Sequence, residues 1–202
     1  MNMPKNYENT AITTEYEMLT LGGHKCKVIK VEEAKSQSGR DMIKVYLDTD
    51  KTDAQPQFYK KRYDADTRDE KKWGCIMYVM VTDSEGNCNK NLKAFHTAVE
   101  ESNKGFSVVW GDKYADAFKN KLVGIVFGEE EYLNAKGELK TTTKPFFFNS
   151  IAKVLDAKIP NKRTLSDDKK STASTGFVPS SVVMQPTSEA DIPDPTDDDY
   201  PF

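Results

Sequence analysis

One amphipathic helix lies among several segments with the alternating pattern of β-strands, and this arrangement limits the possible folds. From Asn89 to Ser102, apolar positions recur at the spacing of a helix face, at Leu92, Phe95, His96 and Val99. Because His96 lies on this apolar face, we expect it to pack against the body of the protein. The order of elements is several strands, this helix and a final hairpin.

Five segments have the composition and periodicity of strands, and turn residues separate most of them. They are His24–Lys35, Met42–Asp48, Trp73–Thr82, Leu122–Tyr132 and Glu138–Lys153. Alternation in the first segment slips at Val28 and Ile29, as it would at a β-bulge. A short second helix is predicted over 112–120, whereas the stretch from Phe58 to Trp73 receives no assignment.

This order is typical of a mainly β domain, a five-stranded Greek-key barrel of the OB type with a helix between strands 3 and 4. A generic α+β domain is the alternative. We divide the chain into a lead-in at 1–20, the OB domain at 21–165, a flexible linker at 166–196 and an acidic tip at 197–202. The Ser, Thr and Pro residues of the linker bury too little apolar surface to offset chain entropy, so we expect a disordered C-terminal tail.

The charge distribution separates the body from the tail. The 202 residues include 29 Lys and Arg and 32 Asp and Glu, which gives a net charge of −3. After Lys170 there is no basic residue, and the six acidic residues of that segment leave a charge of +3 on residues 1–170. The acidic total therefore does not exclude a nucleic-acid partner for a mildly basic body.

Several classes of protein do not fit the sequence. No apolar run approaches the ~18 residues of a membrane span, and the polar N-terminal residues do not have the pattern of a signal peptide. The three cysteines, Cys26, Cys75 and Cys88, form no CxxC pair, which favours free thiols in a reducing cytoplasm. A zinc site formed from them with His24 and His96 has no supporting ligand spacing, so we expect no metal and no cofactor.

The sequence contains no convincing catalytic constellation, and we expect a protein that is not an enzyme. The tripeptide Glu138-Leu139-Lys140 matches half of a metal-dependent nuclease pattern, but this spacing carries little information where 30% of the residues are charged. There is no Gly-rich phosphate loop of the GxxxxGK type. With two histidines in the chain, no serine or cysteine triad can be argued.

Aromatic and basic residues alternate in the unassigned stretch, which is the first candidate binding site. Binding a single strand without sequence preference requires ring faces for bases and cations for phosphates. The stretch supplies both, in Phe58, Tyr59, Lys60, Lys61, Arg62, Tyr63, Lys72 and Trp73. The alternative for each ring is a place in the core, and for the charges a solvated loop.

A second candidate lies on the polar face of the second predicted strand. There Lys44 and Tyr46 alternate with apolar residues. OB-folds bind oligonucleotides on the face of strands 2 and 3, which would include these two side chains. An ordinary solvent-facing strand is the alternative.

The last six residues form a candidate partner-binding motif. They are Asp197, Asp198, Asp199, Tyr200, Pro201 and Phe202. Proline stiffens such an end, so less entropy is lost on docking, and the carboxylates can pair with Lys and Arg around an apolar pocket. The motif resembles the acidic tip of bacterial single-stranded DNA-binding proteins, which ends Asp-Asp-Ile-Pro-Phe, with Tyr200 in place of the isoleucine. The resemblance implies recruitment of replication, recombination or repair proteins.

The body also resembles small phage and prophage proteins of Gram-positive bacteria that are encoded near replication and recombination genes. The likeness is carried by runs within Gly22–Val28, Ser38–Met42, Phe95–Asn103 and Gly128–Glu138. Together these features predict a single-stranded DNA-binding protein of a phage, acting in the bacterial host cytoplasm as a monomer or homo-oligomer. The alternative is a protein–protein adaptor with an OB-like body that binds no nucleic acid and docks on host replication proteins through the tip.

Overall fold

The longest strand lies at the centre of a single antiparallel sheet. The structure is a computed structural model that describes residues 3–5, 7–9 and 17–166. Its strands are β1 Gly22–Lys35, β2 Asp41–Thr49, β3 Ile76–Met80, β4 Leu122–Leu133 and β5 Leu139–Asn149. They form one five-stranded sheet in the order β3-β2-β1-β4-β5. All five predicted strands are present, although β5 ends earlier than the predicted Lys153.

Strand β1 belongs to both halves of the sheet. Its first part, Gly22 to Lys27, pairs with β4, and a later part pairs with β2 as far as Lys35. The register with β2 shifts between Val28 and Lys30, which confirms the predicted β-bulge. A bulge bends a strand and increases its twist, so β1 can pair with β4 in its first part and with β2 in its later part.

Within the described ranges, three α-helices connect the strands. They are α1 Phe58–Ala65 between β2 and β3, followed by α2 Lys90–Ser102 and α3 Tyr114–Ala117 between β3 and β4. The Asn89 side chain caps α2 by accepting a hydrogen bond from the backbone N–H of Asn91 at 2.8 Å. The two predicted helices are confirmed, while α1 was not predicted.

The core lies on one face of the sheet. Its buried side chains come from strands and helices alike, and they include Val28, Val45, Phe95 and Ile125. Leu19, from the predicted lead-in, is also part of it. Helix α2 packs against β3, β4 and β5, so it contacts both edge strands of the sheet. His96 on this helix is buried, as predicted, and its Nε2 lies 2.7 Å from the Tyr114 hydroxyl.

The two edge strands leave the sheet open. Among the described residues, no strand pairing joins β3 to β5. The element order confirms a mainly β fold with a helix between the third and fourth strands. Because the two described edge strands are not paired with each other, the closed Greek-key barrel stays a prediction. In the same part of the chain, every helix is too short or too polar to cross a membrane.

A 3₁₀ helix at Val154–Asp156 crosses the sheet closely enough to require glycine beneath it. A Cβ atom at Gly23 of β1 would lie 1.7 Å from the carbonyl oxygen of Val154, and one at Gly124 of β4 would lie 2.6 Å from the Val154 Cβ. Any larger residue would displace this helix.

The segment after the 3₁₀ helix returns along the edge of β4. Backbone hydrogen bonds of 2.9 Å join Arg163 to Glu129 and Glu131. The Arg163 guanidinium also lies 4.0 Å from the ring centre of Phe146 on β5. Residues near 163 thus pack on the folded body. The predicted linker beyond residue 166 and the predicted acidic tip lie outside the described residues.

Candidate nucleic-acid interface

Side chains at the end of β2 position helix α1. The Asp48 Oδ1 atom accepts a hydrogen bond from the backbone N–H of Tyr59, and the Thr49 Oγ1 atom accepts one from Phe58, both at 2.9 Å. These N–H groups belong to the first turn of a helix, which has no intrahelical acceptors for them. Burial raises the pKa of Asp48, although the hydrogen bond from Tyr59 acts in the opposite direction. The caps lie 11 and 9 residues before the groups that they cap, so local sequence gives no sign of them.

A cleft of about 740 Å³ lies between α1, the loop that follows it and β5. Five cations line this cleft, and we call it the basic cleft: Lys61, Arg62, Arg68, Lys72 and Lys144. The first four belong to α1 and the following loop, whereas Lys144 belongs to β5. The sheet therefore brings a distant lysine to the predicted basic stretch.

Cations outnumber carboxylates in the basic cleft, which two acidic residues line. One of them, Asp66, lies 2.6 Å from the Arg68 guanidinium, which holds the pKa of Asp66 at about 2. Within the described ranges, Lys61, Lys72 and Lys144 form no salt bridge with a carboxylate. Their charges are therefore available to an anionic ligand.

The structure divides the predicted aromatic cluster. Phe58 and Tyr59 also line the basic cleft, but they are 5% and 7% exposed, so most of their ring surface packs in the core. Tyr63 is half-buried and lines the basic cleft, with its ring centre 5.5 Å from that of Trp73. Trp73 is also half-buried, and its Nε1 donates a hydrogen bond to the carbonyl oxygen of Leu47 at 2.8 Å. Of the three predicted rings that line the cleft, Tyr63 is the most exposed, whereas Trp73 does not line it.

One predicted cation lies apart from the others. The Lys60 ammonium pairs with the Asp64 carboxylate at 2.7 Å on the exposed surface of α1, and it does not line the cleft. The hydrogen bond and the charge of Asp64 raise the pKa of Lys60. Lys61, Arg62 and Lys72 are thus the predicted cations that the structure brings together.

Lys44 and Tyr46 lie on the outer face of the sheet, as their alternation with buried residues predicts. The register places Tyr46 opposite Lys30 of β1 and Lys44 opposite Tyr78 of β3. The Lys30 ammonium lies 4.2 Å from the ring centre of Tyr46. The Tyr46 hydroxyl donates a hydrogen bond to Glu32 at 2.7 Å, and hydrogen bonds from Lys30 and Tyr46 lower the pKa of that carboxyl.

We call Lys30, Lys44, Tyr46 and Tyr78 the sheet face. Tyr78 was not among the predicted site residues. The signal was present, however, because Met77 and Val79 on either side of it are buried and a strand alternates between its two faces. Two tyrosines and two lysines thus share one surface of β1, β2 and β3.

A buried histidine joins β1 to the chain that leads into α1. The His24 Nδ1 atom lies 2.9 Å from Asp53 Oδ2, and its Nε2 lies 3.0 Å from the carbonyl oxygen and 3.1 Å from the hydroxyl of Thr20. A carbonyl oxygen can only accept, so Nε2 carries a proton, while Nδ1 donates to Asp53. Burial lowers the pKa of His24, but the hydrogen bond and the charge of Asp53 outweigh it, and the net pKa is raised.

Thr20, His24 and Asp53 supply the hydroxyl, imidazole and carboxylate of a catalytic triad, but the protons on the imidazole are placed differently. A triad histidine needs a free Nε2 lone pair to accept the hydroxyl proton. In this protein the imidazole donates from both nitrogens, so it cannot activate the Thr20 hydroxyl in this arrangement. The series instead fixes the loop before α1, because Asp53 also accepts hydrogen bonds from the backbone of Lys25 and Gln55.

The three cysteines are free thiols that differ in burial. Cys26 and Cys75 are buried free thiols, Cys88 is an exposed one, and burial raises the pKa of the first two. In those ranges, no three His, Cys, Asp or Glu side chains are placed to hold a metal ion.

Comparison with protein-family models and with curated protein sequences gives no match to this chain. A functional interpretation therefore depends on the geometry of the basic cleft and the sheet face.

Proposed function

We propose that this protein binds single-stranded DNA through the basic cleft and the sheet face, during phage replication or recombination. The proposal rests on three lysines, Lys61, Lys72 and Lys144, which line one cleft although they come from different parts of the chain. A set of like charges without carboxylate partners is electrostatically unfavourable by itself. It is stabilised when a polyanion neutralises it.

The chemistry of the cleft suits a nucleic-acid strand. The lysines can neutralise phosphates, and the hydroxyls of Thr142 and Thr143 beside them can donate hydrogen bonds to phosphate oxygens. Tyr63 offers a ring for a base, and such a stacking contact contributes roughly 1–3 kcal/mol. In a duplex the bases are paired and their faces are covered, so a site that combines cations with a ring favours single strands.

The strand order supports an OB-type barrel as part of the proposal. A five-stranded ring in the order β3-β2-β1-β4-β5 would close by pairing β3 with β5, and α2 already contacts both of these edges. In OB-folds the face of strands 2 and 3 binds oligonucleotides. Lys44, Tyr46 and Tyr78 lie on the outer face of these two strands here, which supports the sheet face as the second part of the proposed interface.

Recruitment of replication, recombination or repair proteins through Asp197–Phe202 is the second part of the proposal. It is supported by the sequence of the tip. The two parts are separable, because the cleft residues and the tip belong to different segments of the chain.

Charge-neutralising variants test the role of the cleft. In the triple variant Lys61→Gln, Lys72→Gln, Lys144→Gln, we expect weaker binding of labelled oligothymidylate and a shallower dependence of log K on log salt. The slope should fall by about 0.7 for each phosphate contact that is lost. Lys158→Gln, which changes an exposed lysine outside the cleft, serves as the control and should bind like the native chain.

If the triple variant bound DNA with native affinity and a native salt slope, the basic cleft would not be the binding site. If the native chain bound no nucleic acid at all, the result would favour the adaptor, which uses the body only to present the tip.

A further inference from the structure

The most exposed aromatic ring of residues 17–166 lies outside the basic cleft and the sheet face. Trp110 is 67% exposed, in the loop between α2 and α3, and Val109 beside it is 47% exposed. The hydrophobic effect disfavours leaving so large a side chain in water. Covering this ring with a partner would therefore be favourable.

Trp110 is held in place from beneath by a stack of rings. Its ring centre lies 5.4 Å from that of Tyr114, and the two planes are within 18° of parallel. Tyr114 is buried, and its hydroxyl lies 2.7 Å from Nε2 of His96. His96 in turn stacks on Phe118 at 5.7 Å. The indole is thus supported by a buried series of rings, and little conformational entropy remains to be lost on binding.

The indole contacts Tyr114 by stacking and His96 at right angles, and the 67% exposure of the side chain leaves ring surface for a ligand. The apolar surface here consists of Val109 and Trp110, which is too small for a stable protein–protein interface of roughly 800 Å² on each partner. A single flat aromatic face suits a nucleobase, since every base has a π-face of similar size. From this geometry we infer that Trp110 is a base-stacking platform for the single strand, an inference that rests on the proposed function.

The charges around the platform are mixed, which distinguishes it from the basic cleft. Lys93 and Glu100 both act electrostatically on His96, and Asp112 and Lys113 follow Trp110 in the same loop. Because these charges have opposite signs, they leave little net attraction for phosphate. The contact is therefore one of stacking rather than of charge, and its contribution to affinity should not depend on salt.

The platform lies beside helices α2 and α3. Trp110 precedes α3, which packs against β1, and its ring centre lies 5.3 Å from that of His96 on α2. The basic cleft is lined by α1, the loop that follows it and β5, so the platform is a contact separate from the cleft.

The two tryptophans of the chain allow a direct test. In Trp73→Phe, Trp110 is the one remaining tryptophan, so its fluorescence reports on the platform alone. Titration with oligothymidylate should quench this fluorescence, and the quenching should saturate together with the anisotropy of the labelled oligonucleotide. Trp110→Ala should weaken binding by about 5- to 100-fold with an unchanged salt slope. Trp110→Phe should retain most of the affinity.

Two different results would separate the role of Trp110 from DNA binding by the protein as a whole. If the native chain and Trp73→Phe bind oligothymidylate by anisotropy while Trp110 stays unquenched and Trp110→Ala binds normally, the platform is overturned and the proposed function stands. If the native chain produces no anisotropy change, the proposed function fails and the platform fails with it. Leu155→Ala, which removes another exposed apolar side chain, controls for a general loss of surface and should bind like the native chain.

Discussion

The Nδ1 atom of His24 lies 2.9 Å from Oδ2 of Asp53, and both side chains are almost fully buried. The contact connects the start of β1 to the loop between β2 and α1. Because α1 forms one wall of the basic cleft, this pair holds the proposed binding site on the sheet. Its protonation is therefore linked to the stability of the site.

The stability of the protein should depend on pH through this pair. The pKa of His24 is raised in the folded state, so its contribution is complete below the unfolded value of about 6.5 and is lost as the pH rises through the folded pKa. Burial raises the pKa of Asp53, but the hydrogen bonds from His24, Gln55 and Lys25 and the charge of His24 outweigh it, and the net pKa is lowered. The contribution of Asp53 is complete above its unfolded value of about 4 and is lost as the pH falls through the folded pKa.

Thermal unfolding of the native chain and of His24→Gln over a pH series would check this linkage. We expect the difference in Tm to be largest between about pH 4 and 6.5, and to decrease on both sides. Loss of the buried hydrogen bonds should cost about 1–3 kcal/mol within that window. A difference that stays constant from pH 5 to 9 would contradict a protonated His24.

The glycine beneath the 3₁₀ helix should not tolerate a side chain. Gly23→Ala places a Cβ atom 1.7 Å from a backbone oxygen, which cannot move unless the whole helix is displaced. We expect a loss of about 1–3 kcal/mol in the free energy of unfolding, measured by urea denaturation. Gly74→Ala is the matched comparison, because its Cβ would meet a ring atom of Tyr59 at 3.0 Å and a side chain can adjust more easily. Equal stability of both variants would refute the close crossing.

Arg163 should stabilise the body through its planar guanidinium. The group lies 4.0 Å from the ring centre of Phe146, and such a contact contributes roughly 0.5–2 kcal/mol. Arg163→Lys should recover little of what Arg163→Ala loses, because an ammonium does not stack as a guanidinium does. Lys162→Ala, which removes a partly exposed ion pair with Glu131, should change the unfolding free energy by less than about 1 kcal/mol. Similar losses in Ala variants at both positions would show that the ring contact is not the stabilising one.

Deletion of Asp197–Phe202 should separate the two proposed activities. We expect recruitment of partner proteins to be lost, with DNA binding unchanged or stronger, since the acidic segment can compete for the basic cleft. Pull-down of replication and repair proteins from host extract, together with a DNA titration, would measure both. Weaker DNA binding after the deletion would argue against the competition.

Local pattern was sufficient for most of the fold. The final hairpin of β4 and β5, the bulge at Val28 and helix α2 follow from periodicity and turn residues within short segments of the sequence. Helix α1 could not be predicted in this way, because it buries one turn at Phe58 and Tyr59 and its caps are supplied by β2. Pairing between edge strands depends on the curvature of the whole sheet, which no local pattern encodes.

The sequence predicts which types of residue form the candidate site, but not which individual residues line it. Alternating rings and cations identified the stretch that contains Lys61 and Lys72, since single-strand binding requires both groups. Tertiary packing leaves Tyr63 partly exposed in the cleft, while Phe58 is almost fully buried. The approach of Lys144 depends on the path of β5, which brings it to residues more than 70 positions earlier in the chain.

Anisotropy titrations of the full chain with single-stranded and duplex oligonucleotides of matched length, over a series of salt concentrations, measure whether the protein prefers single strands. We expect tighter binding of the single strand, with an affinity that falls steeply as salt rises. Equal affinity for the two forms would rule out a single-strand-binding protein.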